Sequence, residues 1–208
     1  MTHVKNVEAF TRMVTFCTGY GGKYNPGRPN LRIEALTTQL DAACQMLDHV
    51  KVAKAHFDNE VNYRKQVFDQ LPKLSASILR TLEASGASKE KLADVRQFFR
   101  DIVGKSRQRK AAVVTDTAQP DSVPEKRSGL QLAYVSRADS FASLVQGVVT
   151  EPLYEAYEPE LSRKGLRQKV EQLNQLNRQV REAHLAWSNR LIERNAAFYK
   201  DRESMANT

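Results

Sequence analysis

Apolar residues recur at alternating steps of three and four along the segment Ile33, Leu36, Leu40, Ala43, Leu47, Val50, Lys54, Phe57, Val61, Arg64, Phe68 and Leu71, with Lys54 and Arg64 as the two exceptions. The positions between them include Glu34, Asp41, Asp48, Lys51, Asp58 and Lys65. This spacing predicts a long amphipathic helix with a narrow seam, as in coiled coils and bundles. About 40 residues at 1.5 Å each reach roughly 60 Å, which predicts an elongated molecule. Asn30, after Pro29, is placed to cap the start. Pro72 removes a backbone donor but should kink the helix without ending it, because apolar positions continue through Ile78 and Leu82. Gly86 suits a left-handed residue past the helix end, and Ser88 the cap of a next helix carrying Leu92, Val95, Phe98, Phe99 and Ile102. Lys54 and Arg64 either fix register or lie where the seam opens to solvent. The open seam is the favoured expectation, since long basic chains reach outward to water.

Residues 105–129 change character. A basic run, Lys105, Arg107, Arg109 and Lys110, leads into a stretch with Pro120, Pro124 and several Ser, Thr and Asp, which predicts a mobile linker. Helical spacing resumes with Leu130, Leu132, Tyr134 and Val135, continues through Phe141, Leu144, Val145 and Val148, and meets Pro152. A final long helix is expected from about Ser162 to Arg202. An offset of 133 residues sets Tyr24 on Tyr157, Pro26 on Pro159, Gln39-Leu40 on Gln172-Leu173, Ala53 on Ala186, Glu60 on Glu193 and Asn62 on Asn195. The same offset lays Ile33, Leu40, Ala43, Leu47 and Val50 on Leu166, Leu173, Leu176, Val180 and Ala183, and Phe10 and Val14 resemble Phe141 and Val145. One long helix with a single apolar stripe cannot bury that stripe alone, and a second copy supplies a matching one. The expected fold is all-α. It is an elongated antiparallel helical bundle with two long heptad-patterned helices and an internal pseudo-two-fold duplication. It forms one helical domain over 1–208, with pseudo-repeats 8–71 and 139–203, a helical insertion 73–103 and the linker 105–129.

Composition narrows the class. With 9 Gly and 7 Pro in 208 residues, turn-formers are too few for a β-sandwich. Hydrophobic residues at 41% and charged residues at 27% exclude collagen-like and wholly disordered chains. Two cysteines, Cys17 and Cys44, exclude a disulfide scaffold and fit small thiols of a reducing, cytoplasmic compartment. No run approaches the roughly 20 apolar residues of a membrane span, and the first residues lack a signal-peptide core. The formal net charge of +8 permits a polyanionic partner and equally serves solubility. If the cluster at 105–110, with Lys105, Arg107, Arg109 and Lys110, converged with the cluster at 163–169, with Arg163, Lys164, Arg167 and Lys169, they would form a phosphate-attracting patch. Interleaved aromatics and a short recognition helix are both missing from these segments.

Catalytic patterns are absent from the sequence. His49 and His56 stand two turns apart, too far to share a metal ion, and neither Glu-x-x-His nor His-Glu-x-x-His occurs. The run Thr18-Gly-Tyr-Gly-Gly-Lys-Tyr24 has Cys17 and Tyr24 where a phosphate loop needs glycine and serine or threonine. No Gly-x-Ser-x-Gly elbow is present. Neither a cofactor, a metal site nor a catalytic residue is therefore assigned. Tyr20, Tyr24, Tyr154 and Tyr157, in the loops before the two long helices, are candidate ligand or partner residues. The favoured expectation is that they plug the bundle ends with their hydroxyls toward water.

The segment Thr15-Phe-Cys-Thr-Gly-Tyr-Gly-Gly-Lys-Tyr-Asn-Pro26, with Leu71-Pro-Lys-Leu-Ser75 and Leu82-Glu-Ala-Ser-Gly-Ala87, resembles an uncharacterised family of helical proteins from Bacteroidetes bacteria. The second Tyr-x-Pro half is similar to that family's C-terminal half. The resemblance implies a helical bundle and brings no activity, cofactor or catalytic residue. The expected function is a non-enzymatic scaffold or protein-interaction module whose partner is a second copy or another protein. Nucleic-acid binding through the two basic clusters is the alternative.

Overall fold

The computed structural model describes residues 3–103 and 126–199, the first seven of the second stretch by backbone alone. These residues form helices and no strand. They are α1 (His3–Gly19), α2 (Ile33–Asp69), α3 (Leu71–Ala84), α4 (Lys89–Val103), α5 (Lys126–Val149) and α6 (Arg163–Tyr199), with 3-10 turns at Gly21–Lys23 and Pro29–Leu31. The insertion expected over 73–103 is the pair α3–α4. The last residues of the expected linker, 126–129, belong to α5, and the basic run 105–110 lies outside the described residues.

The heptad seam of α2 faces inward. Leu36, Ala43, Phe57, Arg64 and Phe68 are buried along it, followed by Leu71 at the start of α3. Leu166, Leu173, Leu176, Val180 and Ala183 are likewise buried on α6. The chain, read from its sequence as one domain, groups into two compact units: Met1–Glu60 with Arg181–Thr208, and Val61–Val180.

In the first unit, α1 lays Phe10 and Val14 against Leu36, with Tyr24 and Leu40 alongside. Val7, Ala43 and Phe198 form a second small cluster with Leu40, Leu47 and Ala197. Further along, Phe57 stacks on Trp187 at 5.6 Å, and His184 meets both rings edge-on. The ammonium of Lys54 stands 5.3 Å from the centre of the Trp187 ring and pairs with Asp58. Its place in an apolar seam therefore follows from cation–π attraction, with the charge kept at the half-exposed rim.

The second unit holds the larger core. Phe68, Leu71, Ile78 and Leu82 pack with Val95 and Ile102 of α4, Phe141, Leu144 and Val148 of α5, and Leu166 and Leu173 of α6. Arg64 corrects the open-seam expectation, being only 4% exposed. Its guanidinium lies 4.1 Å from the centre of the Tyr134 ring and donates to Asn177 Oδ1 at 3.4 Å. A tyrosine from α5 roofs the seam there, and a buried charge of this kind persists only with such partners.

Where Pro72 predicts a kink, α2 ends at Asp69 and α3 begins at Leu71. Gln70, the single residue between the helices, keeps right-handed helical backbone at φ −85°, ψ −17°. Because Pro72 has no N–H, the carbonyl of Phe68 loses the donor four residues on. Arg137 Nη2 donates to that carbonyl at 2.9 Å, and the guanidinium stands 5.8 Å from the Phe68 ring centre. Past α3, Gly86 takes φ +76°, the left-handed turn that glycine enters without strain. Ser88 Oγ then accepts the Lys91 N–H at 3.2 Å to cap α4. Asn30 sits instead in the Pro29–Leu31 turn, and α2 begins at Ile33.

Arg137→Met keeps the length of the side chain but leaves the Phe68 carbonyl without a donor. It is expected to cost about 1–3 kcal/mol in urea unfolding. Adding Pro72→Ala restores a backbone donor, so the double variant should recover part of the loss. An unchanged unfolding midpoint for Arg137→Met would remove this account of the junction.

Candidate functional site

The loops that lead into α2 and α6 contain the tyrosines singled out by sequence. In the first loop, Tyr24 Oη donates to the carbonyl of Leu31 at 2.9 Å. In the second, Tyr154 Oη donates to the carbonyl of Leu161 at 2.8 Å. Each phenol closes a loop of the same length from within, just before a 37-residue helix. These hydroxyls are therefore tied to backbone, where the expectation had them facing water. Tyr20 and Tyr157 behave differently: they are 64% and 98% exposed. The 133-residue offset pairs Tyr24 with Tyr157, but Tyr154 is the residue that makes the equivalent bond.

The second elbow is further braced. Arg163 Nη2 donates to the carbonyls of Glu151 (2.8 Å), Pro152 (3.2 Å) and Tyr154 (3.3 Å). Ser162 Oγ accepts the Gly165 N–H at 3.1 Å, capping α6, and donates to the Pro159 carbonyl at 2.7 Å. A Cβ on Gly165 would lie 2.3 Å from the Pro159 carbonyl oxygen, so only glycine allows the loop to approach the helix this closely.

The same packing sets the ionisation of the phenols. Burial pushes Tyr154 up to about 12, with the Arg163 charge opposing. For Tyr24 the hydrogen-bonding Cys17 thiol beside it is the main cause of a raised value, with desolvation second. Neither hydroxyl is poised as a base near neutrality.

Arg163 is engaged by three carbonyls, Lys164 and Arg167 are exposed on the first turns of α6, and Lys105, Arg107, Arg109 and Lys110 lie outside the described residues. A surface groove of about 850 Å³, which sequence reasoning missed, runs between α3 and the start of α6. Lys73, Lys169, Glu158 and Glu160 line it with Gln70 and Gln168. Burial lowers the Lys169 ammonium from its ordinary value, Glu160 opposes this, and Lys169 Nζ donates to Gln172 Oε1 at 3.0 Å. Charges of both signs alternate here, without the single-sign field that would select a polyanion.

Among the described residues no group of three or more His, Cys, Asp or Glu side chains is arranged to hold a metal ion, and no helix is long and apolar enough to cross a membrane. Comparison with family models, with curated proteins and with solved structures finds no match for the chain. The function must be argued from the geometry itself.

Tyr154→Phe leaves the Leu161 carbonyl unpaired and is expected to cost about 1–2 kcal/mol at neutral pH. Because folding raises the pKa of this phenol from 10.0 to about 12, its contribution is complete below pH 10 and is lost as pH climbs toward 12. Melting temperatures across that range should fall more steeply for the wild type than for Tyr154→Phe. Parallel curves would contradict the burial of this hydroxyl. Gly165→Ala should also destabilise, read in the same melts, because the Pro159 carbonyl must move away.

Proposed function

We propose that the protein works in the cytoplasm as a non-enzymatic helical-bundle module that engages another protein, and that it is built from two copies of one helical unit around a pseudo-two-fold axis. Several local features support the duplication. The tyrosine elbows and the 37-residue helices that follow them correspond at an offset of 130 residues, in place of 133. One residue more relates α1 to α5, setting the buried Phe10 and Val14 on the buried Phe141 and Val145. At these offsets His3 meets Phe198 edge-on at 5.1 Å, and its counterpart Tyr134 meets Phe68, the counterpart of Phe198, at 5.0 Å. Phe57 and Trp187 are counterparts too, and they stack on each other, as residues beside a two-fold axis do. An antiparallel course of α2 and α6 within the first unit is supported by Ala43 clustering with Phe198 while Phe57 touches His184.

The interaction reading is carried by one observation. Val4, Phe16, Tyr20, Val52, Leu185 and Ile192 all belong to the unit Met1–Glu60 with Arg181–Thr208, and each is between 59% and 71% exposed. Single exposed hydrophobics are ordinary, but such a concentration in one small unit fits a surface that a partner covers. The nucleic-acid reading draws on the net charge and on exposed Lys164 and Arg167, and is weakened by the engagement of Arg163.

Affinity capture with the full chain, followed by titration of the purified captured protein, is expected to give a saturable complex of defined stoichiometry. A strictly monomeric protein that yields no protein partner, yet binds generic DNA or RNA at low salt and releases it as salt rises, would overturn the interaction reading in favour of the polyanion one.

A further inference from the structure

We propose that the outer face of α1, formed by Met13, Phe16 and Tyr20, docks an amphipathic helix of a partner protein, one that presents a small side chain to Phe16 and large apolar side chains a turn to either side. The inference rests on the interaction and duplication readings above and names the surface and the chemistry that meets it. These three residues stand at i, i+3 and i+7, so they share one stripe of the helix. Phe16 is 71% exposed, Tyr20 64% and Met13 36%. The adjoining face of α1 packs inward through Val7, Phe10 and Val14, with the Cys17 thiol beside Tyr24 at its edge.

The counterpart of α1 is α5, whose corresponding positions are Leu144, Gly147 and Glu151, with Val148 beside them. There the stripe is covered: α4 lies along α5, and Leu144 and Val148 are fully buried in one cluster with Val95 and Ile102. A Cβ on Gly147 would come within 3.2 Å of Val95 Cγ2, so a gap on α5 receives a knob from α4. On α1 the knob has changed sides, because Phe16 stands where Gly147 does. A helix seated in the manner of α4 must then leave room opposite Phe16 while keeping apolar residues at the positions of Leu92, Phe99 and Ile102. An alanine-centred amphipathic helix has that shape. The precedent on α5 thus specifies the occupant of α1 as a helix.

The probe is a fluorescein-labelled peptide with the sequence of residues 89–103 and the substitution Val95→Ala, titrated against the intact protein by anisotropy. Saturable binding is expected, with the unsubstituted peptide weaker. Phe16→Glu should weaken it by at least about tenfold, the loss of one buried aromatic contact. Phe16 is exposed, so the variant should melt as the wild type does, which separates lost binding from lost folding. No saturable binding, equal binding to Phe16→Glu, or equal binding of the two peptides overturns the proposal. So does sedimentation showing that the protein dimerises through this face and that Phe16→Glu is monomeric, since the occupant is then a second copy. Capture of a protein partner that persists undiminished with Phe16→Glu sinks the α1 site while leaving the interaction reading standing.

Discussion

A helix with a single apolar stripe gains little in water until something covers that stripe. Every other feature of this chain answers that constraint. The α2 seam is buried at Leu36, Ala43, Phe57, Arg64 and Phe68, and the α6 seam at Leu166, Leu173, Leu176, Val180 and Ala183. The short helices supply the remaining cover, α1 through Val7, Phe10 and Val14, and α3 to α5 through the larger cluster around Phe68 and Phe141. The two basic residues of the α2 seam lie against aromatic rings, Lys54 over Trp187 and Arg64 over Tyr134.

The same economy governs the backbone. Where the chain must bend, a carbonyl loses its helical partner and a distant side chain supplies one: Arg137 at Phe68, Tyr154 at Leu161, and Arg163 at three carbonyls of the second elbow. Two arginines that charge arithmetic alone assigns to solvent or to polyanions are thus structural donors. Such bonds hold the elbows rigid, and rigid elbows fix where the long helices begin.

Much of this was legible in the chain. The three-four spacing located the seam, Pro72 the α2–α3 junction, and Gly86 with Ser88 the α3–α4 turn, because each depends on residues close in sequence. The fate of Arg64 was not legible, since the ring that roofs it, Tyr134, is 70 positions away. The tyrosine that closes the second loop was not legible for a related reason. Tyr-x-Pro at 157–159 copies the local pattern at 24–26, whereas the phenol that closes the second loop is Tyr154, and its partner Leu161 is identified only by the folded backbone. Of the candidate site residues, Tyr20 and Tyr157 are exposed as a partner surface requires, Tyr24 and Tyr154 serve as internal ties, and the α1 stripe escaped notice because its meaning comes from the covered stripe on α5.

The mutual cover of α2 and α6 is tested most directly at Phe57 and Trp187, the stacked pair, by a double-mutant cycle of Phe57→Ala and Trp187→Ala in urea unfolding followed by circular dichroism. Stacked aromatics in contact predict a coupling of about 0.5–1.5 kcal/mol between the two substitutions. Losses that simply add, within about 0.3–0.5 kcal/mol, would mean that the two seams do not meet there.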